Sequence, residues 1–191
     1  MRKMIAPLTA FSVLAVALIA SASVKPGDEA PAFSLQDQNG KTANLSDYKG
    51  KIVVLEWFND GCPFVQRHYK AKTMNDKYKD KDVVWLAINS TAGKKPADNK
   101  SAAESMNVDH PILADTDSSV AKAYGAKSTP DMFVIDKDGK IAYEGAIDND
   151  PDGTKADKVN YVDKALSEIL AGKSVSEPQT ESYGCHVHYQ K

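Results

Sequence analysis

The chain has 191 residues, a formal net charge of −2 and 42% hydrophobic residues. This supports a globular domain with an ordinary core and argues against nucleic acid or an anionic membrane surface as a partner. Two cysteines, Cys62 and Cys185, exclude a disulfide scaffold and allow one intramolecular bridge.

Arg2 and Lys3 precede an apolar stretch from about Leu8 to Ala20, followed by Ala20-Ser21-Ala22-Ser23. That is the layout of a secretory signal over residues 1–22, with cleavage expected after Ala22 or Ser23. The stretch is shorter than the ~20 residues a bilayer span needs, so no stable span is expected after cleavage; an uncleaved anchor is the alternative. The expectation is a periplasmic or secreted chain, with a main domain over residues 25–172 and a tail over 173–191. In such a compartment disulfides persist.

Asn39-Gly40 between Phe33–Leu35 and Lys41–Ala43 predicts a hairpin, and Ser46 predicts the cap of a short turn closed by Gly50. Ile52–Phe58 is a continuous apolar run and reads as a strand buried on both faces. Asn59-Asp60-Gly61 ends it, and a helix is expected from Pro63 to about Tyr78, with lysines alternating with aspartates on a solvated face. Val83–Ile88 predicts a second buried strand, parallel to the first. A helix near Ala97–Met106, a short strand at Pro111–Ala114 and a helix capped by Asp117 or Ser118 and closed by Gly125 follow. Met132–Ile135 and Ile141–Glu144 form a hairpin around Asp136–Gly139. A last amphipathic helix spans about Val159–Leu170, and residues 173–184 read as irregular.

Cys62 falls at the N-cap of the helix that Pro63 opens, because proline suits the first helical position. The free amide groups and positive dipole end there favour a thiolate over a thiol, so Cys62 reads as a nucleophile. With Cys185 it forms either a redox pair or a structural staple. Closing so long a loop would stabilise by about 5 kcal/mol in the chain-entropy model.

Three features together resemble the thioredoxin superfamily. They are Glu56-Trp57-Phe58-Asn59-Asp60-Gly61-Cys62-Pro63 after a strand, Ser128-Thr129-Pro130 before a strand, and the Phe133-Val134-Ile135-Asp136-x-x-Gly139 hairpin. The chain is most similar to redoxins of the alkyl hydroperoxide reductase/thiol-specific antioxidant type. Cys-Pro-Phe-Val and the late Gly184-Cys185 resemble a peroxiredoxin-like subgroup. The resemblance implies an α/β three-layer sandwich with a central mixed sheet, helices on both faces and an N-terminal hairpin extension. It also implies a cis peptide at Pro130, with a free backbone edge at Thr129 that docks a peptide or disulfide substrate beside Pro63. Glu56 matches the position of a buried carboxylate that handles protons, which burial would leave partly protonated; a solvent-facing glutamate is the alternative.

The chain departs from the family in two places. Val65 stands where a dithiol thioredoxin has its second cysteine. The peroxiredoxin pattern would put Pro at 55 and Thr at 59, where Leu55 and Asn59 stand, which weakens the case for fast peroxide reduction. Cys185 could resolve a sulfenic acid or mixed disulfide on Cys62 if the tail folds back.

The expected activity is thiol-dependent oxidoreduction of a protein disulfide or small peroxide, with an external thiol reductant, no cofactor and no metal. The rival reading is a copper-binding chaperone using Cys62, Cys185 and His188, although alternation along an extended tail would turn His186 and His188 away from the sulfurs. Asp148-Asn149-Asp150-Pro151-Asp152-Gly153 begins like a calcium loop, but Val159 replaces the bidentate glutamate at its twelfth position. His68 is expected to pack on its helix and His110 to sit in a turn; the sequence assigns neither a role.

Overall fold

The computed structural model describes residues 23–73, 78 and 81–189. The expected signal segment, residues 1–22, lies outside them. Strands β1 (Ser34–Gln36) and β2 (Thr42–Asn44) form the predicted hairpin. Beyond a 3-10 turn at Leu45–Tyr48, strand β3 (Ile52–Trp57) runs through the middle of the molecule with all six residues buried. Burial of each large aliphatic side chain there stabilises by roughly 1.5–3 kcal/mol.

Helix α1 (Pro63–Lys70) returns the chain to β4 (Val83–Asn89), which pairs in parallel with β3. Helix α2 (Pro96–Met106) leads to β5 (Ile112–Ala114), parallel to β4. Helix α3 (Ser119–Tyr124) then precedes the two-residue strand β6 (Ser128–Thr129). Strands β7 (Met132–Ile135) and β8 (Ile141–Gly145) form the second hairpin, and helix α4 (Tyr161–Leu170) follows. The main sheet has the order β2-β1-β5-β4-β3-β7-β8. The N-terminal hairpin joins it through Gln36 opposite Ala114, so it extends the sheet itself.

The pleat of β3 sorts side chains to two layers. Val53, Leu55 and Trp57 pack with Val120, Ala121 and Tyr124 of α3. Ile52 and Val54 pack with Val162, Ala165 and Leu166 of α4. Phe58 and Ala87 meet Val65 of α1 and Ala102 and Ala103 of α2. The result is an α/β sandwich of thioredoxin type, with helices over both faces of a mixed sheet.

One local expectation is corrected. Helix α1 stops at Lys70, far short of Tyr78, because Lys72 turns to φ 51° and the Thr73 amide bonds back to the His68 carbonyl. Ser118 takes the expected N-cap position of α3 without a side-chain cap bond, and the Asp117 carboxylate accepts from the Ser119 amide at 2.9 Å. The Asp115 carboxylate accepts from the Val120 and Ala121 amides at 3.2 and 2.9 Å, satisfying donors that a helix start leaves open.

Residues 173–184 hold no helix or strand, as expected, but the chain just beyond them docks. Strand β9 (Cys185–His186) pairs antiparallel with β6, setting Thr129 opposite Cys185 and Ser128 opposite His186. Upstream, the Thr180 amide bonds to the Glu144 carbonyl, and the Thr180 hydroxyl sits 2.6 Å from the Tyr143 hydroxyl.

Candidate active site

Strand β3 ends against a tight turn in which the Asn59 side chain accepts from the Gly61 amide at 2.8 Å and its carbonyl accepts from the Cys62 amide at 3.0 Å. Asn59, at the position where the peroxiredoxin pattern has threonine, is thus committed to shaping the turn. Cys62 is the N-cap of α1, with Pro63 at the first helical position, as expected. Cys62 is only 1% exposed. Its Sγ donates to the Thr129 carbonyl at 2.9 Å.

The Thr129–Pro130 peptide is cis, as the resemblance implies. The Asp131 side chain closes that loop by accepting from the Lys127 amide at 2.8 Å. The expected free edge at Thr129 is corrected: the tail occupies it. The Val187 amide donates to the Lys127 carbonyl at 3.0 Å, and the Thr129 hydroxyl to the Cys185 carbonyl at 3.4 Å. Gly184 makes this approach feasible, since a β-carbon there would lie 2.1 Å from the Thr129 oxygen. Pro63 is exposed beside the nucleophile.

Cys185 packs against the cluster that contains Cys62, and both are free thiols. Burial pushes the Cys62 thiol up. Hydrogen bonds from the Cys185 thiol, the Thr129 side chain and the backbone at Val65 outweigh it, so its pKa falls below that of an ordinary cysteine. Cys185 moves the other way, raised first by burial and then by its bond to Cys62 and the charge developing there. The pair is therefore polarised: Cys62 ionises first, and Cys185 keeps its proton and donates it toward the thiolate.

Glu56 points to the same side of the sheet as α1 and is fully buried, which rules out the solvent-facing alternative. The Tyr69 hydroxyl donates to its Oε2 at 2.8 Å, with the Trp85 indole at 3.4 Å. Oε1 has no hydrogen-bond partner among the described residues. Desolvation lifts Glu56 from 4.5 to about 7, against the pull of these two donors. His110 Nε2 lies 3.0 Å from the Tyr69 oxygen, so histidine, tyrosine and carboxylate form a chain. Sequence reasoning assigned no part in it to Tyr69 or His110. The only local signal was the i, i+4 spacing of Val65 and Tyr69, which puts Tyr69 on the inner face of α1.

The remaining candidates do not converge on a metal. Among the described residues, no three of His, Cys, Asp and Glu are grouped to hold a cation. His186 and His188 line a small cavity with Trp57, Asn59 and Thr91. In the loop after β8, Arg67 donates to the carbonyls of Asp150 and Pro151 at 3.1 and 2.6 Å, and Lys158 faces Asp148 at 3.9 Å. Cationic side chains thus line the stretch that looked like a calcium loop.

The redoxin family model matches residues 25–165. The thiol-disulfide oxidoreductase ResA of Bacillus subtilis (strain 168) is 33% identical over 126 residues, covering 62% of this chain and 66% of that protein. The chain thus spans just under two thirds of that relative. Rv2521 of Mycobacterium tuberculosis (strain H37Rv), provisionally named a peroxiredoxin, is 30% identical over 132 residues, covering 61% of this chain and 81% of that protein. The crystal structure of a hypothetical protein, SMc02350 of Sinorhizobium meliloti 1021, superposes with a TM-score of 0.80 at 27% identity, covering 88% of this chain and 96% of that one. A cysteine at a helix cap, an adjacent cis-proline turn and a family match over most of the chain lead to one conclusion: this chain belongs to the redoxin family of thiol-based oxidoreductases, within the thioredoxin superfamily.

Proposed function

We propose that the chain is an exported thiol-disulfide oxidoreductase in which Cys62 is the nucleophile, Cys185 the resolving thiol and Glu56 the proton acceptor. The Thr129-Pro130 turn and Pro63 frame the approach to Cys62. Export rests on Arg2-Lys3, the apolar stretch and the small residues around Ala22. Among the described residues no helix is long and apolar enough to cross a membrane. The working unit is a redoxin domain over residues 25–172 with its tail, 173–191, as the resolving arm.

One observation carries the reading: Cys185 is paired opposite Thr129, and the Thr129 carbonyl binds the Cys62 thiol. In the first step the Cys62 thiolate attacks a disulfide, forming a mixed disulfide and expelling one thiolate. With a hydroperoxide it breaks the O–O bond instead, leaving a sulfenic acid and an alkoxide or hydroxide that takes up a proton. In the second step Cys185 gives its proton to Glu56 and attacks the Cys62 sulfur, closing a Cys62–Cys185 disulfide and expelling either the second thiolate or a hydroxide that takes the proton back and leaves as water. An external dithiol returns two electrons and regenerates both thiols.

Mass mapping after stoichiometric oxidation should find an intramolecular Cys62–Cys185 disulfide, and Cys62→Ser should abolish turnover. An oxidised form that is only an intermolecular dimer, or a Cys62 that alkylates no faster than free cysteine, would overturn the assignment.

A further inference from the structure

Strand β9 is short, but its placement restricts what can reach Cys62. The Thr129 carbonyl accepts from the Cys62 sulfur on one side, and on the other the Gly184 backbone presses so close that no side chain fits between them. An extended peptide bringing its own cysteine to Cys62 would add to the Ser128–Thr129 edge as a strand, since unpaired main-chain groups there are what a strand recognises. Cys185-His186 already fills that edge in register. The two arrangements cannot coexist.

The tail is also held in place away from the edge. The Tyr183 hydroxyl donates to Asp148, and its oxygen lies 3.0 Å from His68 Nε2. Further back, the Thr180 hydroxyl accepts from the Ala146 amide at 3.0 Å. Tyr183 and Val175 pack against the α4 side of the core. The space left between β9 and the active-site turn is a cavity of about 20 Å³, lined by Asn59, Thr129, His186 and their neighbours. That volume holds one water-sized molecule and no peptide.

We infer that β9 and Gly184 are specificity determinants. They occupy the strand-docking edge as a built-in surrogate for a substrate segment, so the oxidant that Cys62 reduces is a small molecule, a low-molecular-weight disulfide or a hydroperoxide, and not a folded protein's disulfide. The inference rests on the proposed role of Cys62 and narrows its substrate class. A protein at micromolar concentration competes poorly with a segment tethered at an effective concentration on the order of millimolar. A small oxidant needs only a sulfur within reach and does not compete for the edge.

The test compares the full-length protein with Gly184→Ala, in which the added methyl group pushes the tail off Thr129 while both cysteines remain. Tyr183→Phe is a second, milder release of the same tail. Insulin disulfide reduction and reduction of oxidised glutathione, both driven by dithiothreitol, give a ratio of protein to small-disulfide turnover. Hydrogen exchange at the Val187 amide reports whether the strand has lifted. Gly184→Ala should raise the ratio at least ~10-fold, given the concentration gap between tethered and free strands, and Tyr183→Phe should raise it less. Cys185→Ser, which keeps the strand and loses the thiol, should leave the ratio near that of the unmodified protein.

The inference is overturned if the unmodified protein reduces insulin as readily as oxidised glutathione, or if the Val187 amide becomes exposed while the ratio stays unchanged. A Cys62 inert toward iodoacetamide and both disulfides in every variant would overturn the catalytic reading as well. A reactive Cys62 with an unaltered ratio would overturn this inference alone.

Discussion

Two neighbouring residues of α1 enter two networks built from the same parts. Tyr69 links His110 to the Glu56 carboxylate, and His68 links through Tyr183 to the Asp148 carboxylate. Each is a histidine–tyrosine–carboxylate chain with a buried acid at its end. They differ in what else the acid meets. Asp148 also accepts from the Asp150 amide at 3.0 Å and faces the Lys158 ammonium at 3.9 Å. Glu56 has one good donor and a distant indole, and its Oε1 has no hydrogen-bond partner among the described residues. Each acid keeps one buried oxygen without a hydrogen-bond partner among the described residues, Oδ2 of Asp148 and Oε1 of Glu56, so the contrast is one of charge. An ammonium stands beside the Asp148 oxygen, whereas Glu56 is met by two neutral donors, and burial leaves its proton exchangeable near neutrality. His68, pushed down to about 4 by burial, stays neutral at physiological pH and so suits an anchor.

The largest effect expected from breaking this contrast is at Glu56. If it accepts the proton in the resolving step, Glu56→Gln should cost about 10²-fold in turnover, the low end for general acid–base catalysis. The same substitution should change the pH dependence of stability. Glu56 has a folded-state pKa of about 7 against 4.5 in its absence. The folded state therefore binds more protons between those values, and stability falls as pH rises through that window. The difference is worth about 3 kcal/mol. Asp131, also raised to about 7 by burial, contributes in the same window. The decisive measurement is therefore the difference between denaturation curves of the parent and Glu56→Gln from pH 4.5 to 8. Parallel curves would remove Glu56 from the list of groups that titrate with folding.

The next effect belongs to the anchor. Tyr183→Phe removes the hydroxyl that Asp148 and His68 share and leaves both buried groups short of a partner. The cost is about 1–3 kcal/mol for an unsatisfied buried polar group, or a fall of a few degrees in Tm for a domain of this size. Closure of the Cys62–Cys185 disulfide after oxidation should slow by a similar factor, because Tyr183 precedes Gly184-Cys185 by one residue. Attack of Cys62 on an alkylating reagent should not slow with it. If initial attack and closure slow together, the tail is part of the fold's stability and not specifically the arm that carries Cys185.

This division between acid and anchor also marks what could be read without a structure. The strand Ile52–Trp57, the turn, Cys62 at the cap and Pro130 follow from local rules: an apolar run, turn residues, proline at the first helical position. The burial of Glu56 follows from its place inside that run. Docking of the tail does not, because β6 and β9 have two residues each, too few for any periodicity. The tail is held by side chains that meet partners far away in sequence, Tyr183 with His68 and Thr180 with Tyr143. The early end of α1 was hidden for a related reason. It turns at Lys72, a residue that signals no break, in a conformation usually given to glycine.

The smallest expected effect is at Tyr69, and it sharpens the contrast most cleanly because Tyr69 touches the acid without being one. Its hydroxyl donates to Oε2 of Glu56 at 2.8 Å and so favours the ionised carboxylate. Tyr69→Phe removes that donor and leaves the ring, which packs edge-on against Phe58, so the core should change little. A bond of this kind is worth about 1 kcal/mol, roughly one pKa unit. Glu56 should then hold its proton to higher pH, and the ionised fraction able to accept one at neutrality should shrink. The acidic limb of the turnover profile should move upward by about one pH unit, with turnover above pH 9 close to that of the parent. Glu56→Gln, by contrast, should lower the whole profile. A Tyr69→Phe profile that drops at every pH without moving would mean that Tyr69 serves packing, and that the carboxylate's proton affinity is set by burial alone.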